Sequence, residues 1–376
     1  MSFWAFIVPY YEGRLRHYES FDLGHCADGE LLAAAQEASA LHKFLADLVE
    51  EGYTDTEALL QERTDAADRL QRFLDAALET LGPPPERERF YLIPERVRVE
   101  IPPADRAFAD APEISLHDYL DHLKARPDDP VDISDCFDDP RQMQRWQHKT
   151  AQVMAEMAGF LRWIDDRLRA RPDMVPVPLL RDTLLIHLGL TWLGRQPLPV
   201  FISRAFANTW STNHPIHETL ADVVYRVLLE QGACGLATMQ RRFAEHLQGH
   251  PGVVPAPFMR ACREQLASLG AGRVPTFIES GVQGTFILPL LALSGPSAGM
   301  LLYTTVPWLY DTYAPSVYQP NYNYLREMET IVAHDHLFRF SAWRNGRVYV
   351  TETTDDRMRR LAAYEIRLFR QLVTDG

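Results

Sequence analysis

The spacing of apolar residues changes character along the chain. Residues 2–9 are aromatic and β-branched up to Pro9, a pattern that predicts a short strand. From 29 to 81 the composition turns to Ala, Leu, Glu and Arg with helical spacing. Leu41, Phe44, Leu45 and Leu48 share one face of a helix; Leu70, Phe73, Leu74, Leu78 and Leu81 share another. Gly82-Pro83-Pro84-Pro85 ends that stretch. Residues 90–93 and 97–101 predict one or two strands, closed by Pro102-Pro103. The Asp- and Pro-rich segment 104–142 reads as a long surface connection carrying a short helix near Leu116–Leu123. A helix over 141–170 follows, with an apolar stripe of Trp146, Val153, Met157, Phe160, Leu161 and Ile164, and Pro172 stops it.

The second half has a different rhythm. Pro178–Thr183 leads into an apolar helix over 184–193, and 199–203 reads as a buried strand. Helices are expected near 217–230, 239–247 and 257–269, and strands at 274–278 and 300–305. Short apolar strands alternating with helices call for a parallel sheet covered on its faces. Residues 337–343 and 347–351 flank Arg344-Asn345-Gly346, a hairpin signal, and a closing helix spans 356–372. The expected fold class is therefore α/β: a mainly helical N-terminal region over 1–172 with a few strands, then an α/β ligand-binding domain over 173–376 with a mainly parallel sheet flanked by helices.

Composition narrows the partners. Across 376 residues, 46% are hydrophobic and 24% charged, values ordinary for a folded chain that buries a core. A net charge of -13 disfavours binding along a nucleic-acid backbone, which needs concentrated Lys and Arg. Cys26, Cys136, Cys234 and Cys262 show no metal-ribbon or disulfide spacing and read as thiols in a reducing compartment. The apolar start lacks a basic leader. The run 286–305, broken by Pro289, Gly295, Pro296 and Gly299, suits buried strands and turns better than a bilayer helix. The expectation is a cytoplasmic protein without a membrane span, free to form a homo-oligomer.

Parallel sheets bind ligands beyond the carboxyl ends of their strands, where backbone amides and helix starts face an anion. Two segments of this sequence fall at such ends. Glu279-Ser280-Gly281-Val282-Gln283-Gly284-Thr285 follows the 274–278 strand, with glycines for close backbone approach and a hydroxyl for an oxyanion. Ser203-Arg204 ends the preceding strand and offers a phosphate-binding guanidinium. Arg181-Asp182-Thr183 stands at the mouth of a helix. Glu279, Arg204 and Asp182 are the candidate catalytic groups. Arg181, Ser203, Ser280, Gly281, Gln283, Gly284 and Thr285 are the candidate phosphate-binding set.

In this order of motifs, residues 178–305 resemble phosphoribosyltransferases of the type I fold. In that family an acid-headed loop grips the ribose phosphate of phosphoribosyl pyrophosphate, and Mg²⁺ bridges the pyrophosphate. The resemblance implies a nucleotide- or phosphosugar-binding transferase. Glu279 would be its ribose-side acid, Gly281–Thr285 its phosphate cradle, and Arg181 and Arg204 would face the pyrophosphate. Ser280 stands where the family has a second acid, and Val282-Gln283-Gly284-Thr285 lacks its Thr-Gly step.

Two other readings come from the same residues. His214, His217, His334 and His336 are ligand types for zinc or iron in a hydrolase or oxygenase. His334 and His336 would point the same way if they lay on a strand. A non-catalytic ligand sensor or partner-binding protein is the third reading, prompted by the absent second acid. Asp132, Asp135, Asp138 and Asp139 lack the spacing and the glycine of a calcium loop and read as a solvated acidic turn. The tyrosines between Trp308 and Tyr324 could stack a base or sugar, though packing beneath a loop accounts for them more simply.

Overall fold

The computed structural model describes residues 107–125, 130–210, 235–280, 286–303, 316–318 and 331–374, apart from positions 109, 251, 253 and 271, together with Ile216, Leu220 and Tyr313. The elements expected before residue 104 lie outside the described residues, as does the 217–230 helix save for Leu220.

A five-stranded parallel sheet forms the centre: β2 (Met174–Leu180), β3 (Val200–Phe201), β4 (Val274–Glu279), β5 (Gly299–Tyr303) and β6 (Val317–Tyr318), in the order β3-β2-β4-β5-β6. The earlier strand β1 (Glu113–Ser115) belongs to a second sheet. β2 is a strand that the apolar pattern concealed, because Pro176 and Pro178 argue against a central strand. The register resolves the conflict. The Pro176 carbonyl accepts from Leu198 and the Leu180 carbonyl from Ile202, so the even positions of β2 face β3. The missing proline donors thus point to the side where pairing begins only at Leu179↔Val200. The odd positions keep a full ladder with β4 from Met174↔Val274 to Pro178↔Ile278.

The crossovers dictate the layers. β2 runs through α3 (Leu184–Trp192) to β3 on one side, whereas β4 runs through α7 (Ile287–Ser294) to β5 on the other. Right-handed crossovers in opposite directions put the two helices on opposite faces. On the first face α3 packs with α2 (Pro140–Ala170) and α9 (Asp356–Thr374). On the second, α7 packs with α5 (Leu236–Gly249) and α6 (Ala256–Gln265). α7 occupies part of the stretch expected to hold strands and turns. Pro289 is tolerated because it sits in the first helical turn, where no intrahelical donor is required. No helix among the described residues is long and apolar enough to cross a membrane.

The first-face helices lie close together at Gly189. A Cβ there would collide with Leu161 Cδ2 of α2 and come within 3.0 Å of the Phe369 ring of α9. Gly189→Ala is expected to lower stability by about 1–2 kcal/mol in urea unfolding, because overpacking outweighs the gain in helix propensity. A buried carboxylate with partly exposed partners ties α2 to the segment after α3. Asp165 of α2 receives Arg195, beyond α3, at 2.7 Å and Arg169 at 2.6 Å.

The smaller antiparallel sheet has the order β1-β8-β7, with β7 (Phe338–Arg344) and β8 (Arg347–Glu352) forming the expected hairpin. Asn345 and Gly346 both take positive φ, 53° and 72°, as a two-residue primed turn requires. Phe340 stacks on Phe201 and meets Phe206 edge-on, so this sheet covers the β3 edge. α1 (Leu116–Lys124), capped by Ser115, α4 (Arg204–Asn208) and the short α8 (Val332–Asp335) complete the described elements.

Other expectations resolve into packing. Asp139 accepts from the Arg141 amide and caps α2, Asp132 accepts from the Ser134 amide, and Asp135 faces Arg360. Tyr318 packs with Phe160, Trp163 and Tyr303 in an aromatic cluster. Cys136 and Cys262 are buried free thiols.

Candidate functional site

In a doubly wound sheet the crevice opens where successive crossovers leave in opposite directions, beyond the carboxyl ends of the two strands concerned. Counted within this sheet, the strand order is 2-1-3-4-5, and the reversal lies between β2 and β4. At those two ends stand Arg181-Asp182, which follow β2, and Glu279-Ser280, the last residue of β4 and the one after it. Two of the three segments singled out in the sequence thus meet at the position that topology selects.

They are also bonded together. The Ser280 hydroxyl donates to the Asp182 carbonyl at 2.6 Å, linking the end of β4 to the turn after β2. That turn is held from below by Thr183, which is fully buried and donates to the Leu179 carbonyl at 2.8 Å. Arg181 Nε and the Asp182 carboxylate pair at 3.1 Å, with 38% and 49% of their side chains exposed. They form a charged rim that solvent reaches.

Below the rim the chemistry changes. Glu279 is 9% exposed and its Oε2 has no hydrogen-bond partner among the described residues. Burial, with the nearby Asp182 charge adding to it, pushes the carboxyl up to about 8, so it is largely a neutral acid at pH 7. His334 of α8 is 2% exposed, and its Nε2 is likewise without a partner. Burial holds this imidazole down to about 4; Asp182 opposes that shift and Arg181 reinforces it. His336 is lowered too, by burial and then by Arg181.

α8 packs on both α3 and α9, and the charges of Asp182 and Arg181 reach His334. Its first amides are held from outside. The buried Glu365 carboxylate of α9 accepts from Val332 N at 3.1 Å and Ala333 N at 2.8 Å. Sequence reading gave no role to Glu365, because a carboxylate capping a turn 33 positions earlier leaves no local pattern. A strand at His334 and His336 was the condition for the two rings to point the same way. They are instead within and just after the α8 turn, so they do not form the side-by-side pair that alternation would give.

Of the other candidates, Ser203 caps α4, its hydroxyl accepting from Phe206 N at 3.1 Å, and Arg204 is the first residue of that helix. Gly281, Gln283, Gly284, Thr285, His214 and His217 lie outside the described residues. Among the described residues no group of three or more His, Cys, Asp or Glu could hold a metal ion.

No family model, curated protein or solved structure matches the chain. The functional reading therefore rests on the chemistry at the ends of β2 and β4.

Proposed function

We propose that the chain binds a phosphorylated sugar or nucleotide between the ends of β2 and β4, as a glycosyl- or phosphoribosyltransferase-like enzyme. One observation carries the reading. At the reversal of strand order, an exposed Arg–Asp rim stands beside a buried carboxyl whose Oε2 has no partner among the described residues. A buried polar atom without a partner costs stability, and a ligand that supplies the missing bond recovers it.

In this reading Arg181 meets the phosphate or pyrophosphate, and Glu279 bonds a ribose hydroxyl. Gly281–Thr285, which follow Ser280 in the sequence, would supply the phosphate-binding amides. Ser203 and Arg204 follow β3, the strand paired with β2, and Arg204 is a second candidate cation for the phosphate in this reading. Asp182 is the carboxylate suited to share a Mg²⁺ with ligand phosphates, since Mg²⁺ commonly takes one or two carboxylates and completes its shell with water and phosphate oxygens. Transfer would draw on charge stabilisation by Arg181 and Arg204.

The test is a binding series with phosphoribosyl pyrophosphate and Mg²⁺, ribose 5-phosphate, and pyrophosphate. Saturating ligand is expected to raise the melting temperature by several degrees. Arg181→Ala is expected to weaken binding at least tenfold, the worth of one charge-assisted hydrogen bond. Absence of any shift with all three ligands would overturn the reading. Binding without pyrophosphate release across a panel of acceptors would leave a ligand-binding protein and remove the transferase.

A further inference from the structure

We infer that His334 is a ligand-binding residue of the crevice, its Nε2 hydrogen-bonding a hydroxyl of the sugar while the phosphate is held at the Arg181 rim. This rests on the phosphorylated-ligand reading and adds to it the division of the ligand between rim and floor.

Three observations support the division. The first is position. α8 packs on α3, the helix that opens beyond Arg181-Asp182-Thr183, and the Asp182 charge acts on both His334 and Glu279. Both buried groups therefore lie within electrostatic reach of the same carboxylate, and Ser280, next to Glu279, bonds the Asp182 carbonyl. The second is satisfaction. Most buried side-chain polar atoms have partners, yet Glu279 Oε2 and His334 Nε2 both lack one among the described residues. The third is the kind of partner they accept. Both groups are uncharged at neutral pH, and a neutral carboxyl and a neutral imidazole each combine donor and acceptor capacity. A phosphate offers acceptors and negative charge, which suits the guanidinium at the rim. A sugar hydroxyl donates and accepts at one atom, which suits the floor.

His334 is also placed deliberately. The Glu365 carboxylate holds the first two amides of α8, and Val332, Ala333 and His334 are all buried. This polar anchor holds the backbone of the turn that carries the imidazole. Glu365 is thus a positioning residue for the crevice and does not itself touch the ligand.

The experiment compares ribose 5-phosphate with inorganic phosphate on the full chain, by calorimetry and by ¹⁵N spectra of labelled histidines. In the parent, ribose 5-phosphate is expected to bind at least tenfold tighter than phosphate, and the His334 Nε2 resonance to move with the sugar phosphate only. His334→Phe is expected to bring ribose 5-phosphate to the level of phosphate while phosphate itself changes less than twofold. His334→Gln, which returns an amide near the Nε2 position, is expected to restore part of the preference. The inference falls if His334→Phe keeps the parental preference, or if Nε2 responds to neither ligand or equally to both. In those cases phosphate binding persists and the broader reading stands. If neither ligand binds the parent, the broader reading falls and takes the inference with it. Should His334→Phe fail to fold, the resonance of the unmutated protein decides.

Discussion

Glu279→Gln is expected to give a protein more stable than its parent above pH 8 and unresponsive to the ligand that stabilises the parent. The sign follows from the raised carboxyl. An unfolded chain ionises Glu279 near its ordinary value of 4.5, whereas the folded chain resists until about 8. The contribution of this residue to stability is therefore complete below 4.5 and is lost as pH rises through 8. Glutamine has nearly the same shape and no charge to bury. At pH 8.5 the gain is expected to be about 4–5 kcal/mol, and at pH 4.5 close to nothing. Urea unfolding at the two pH values checks it; equal stability of variant and parent at both would show that Glu279 ionises without penalty.

Two buried histidines act in the opposite sense. His187 and His334 are each held down to about 4, so their contribution is present above 6.5 and is lost as pH falls through 4. Of these three groups only the histidines remain in the glutamine variant, and its stability optimum is expected to move to higher pH. A residue whose removal stabilises the fold while ending its response to ligand is retained for function.

Glu365→Ala is expected to lower stability by about 3–5 kcal/mol. The carboxylate accepts two buried backbone donors, and alanine would leave both without partners. Glu365→Gln is expected to cost about 2 kcal/mol, since one amide oxygen can accept and the amide nitrogen would face a donor. The loss is expected to be local first. Hydrogen exchange at Val332 and Ala333 rises before exchange in β2 or β4, because α8 is a single turn closed by His334 N to Ile331 O and His336 N to Val332 O, neither of which engages the Val332 or Ala333 amide. Unchanged protection at these two amides in Glu365→Ala would show that α8 is held by packing alone. The same variant tests the route to the crevice, since a displaced α8 carries His334 with it.

Much of the described fold was legible along the chain. The stripe Trp146, Val153, Met157, Phe160, Leu161 and Ile164 is buried on α2, as its period requires. Asn345-Gly346 makes the turn its dihedral freedom allows. β4 ends one residue beyond its expected limit, so Glu279 closes the strand, buried under it, instead of leaving it. β2 escaped notice because two prolines speak locally against a central strand, and only the register shows their missing donors facing the short side of the ladder.

The candidate site divides in the same way. Arg181, Asp182, Glu279 and Ser280 could be singled out because strand ends and helix mouths are readable from local pattern. Their meeting could not, since 98 residues separate Asp182 from Ser280 and only the reversal of strand order brings them within one hydrogen bond.

What the sequence determined by itself was the set of local elements and the residue types placed at their ends, because period, turn chemistry and capping act over a few neighbouring residues. The tertiary structure alone decided that burial raises the Glu279 carboxyl, that the Asp182 and Arg181 charges reach His334 and that Glu365 holds the turn that carries it. Burial and the company of distant charges set a proton's affinity, and neither is a property of any short stretch of chain.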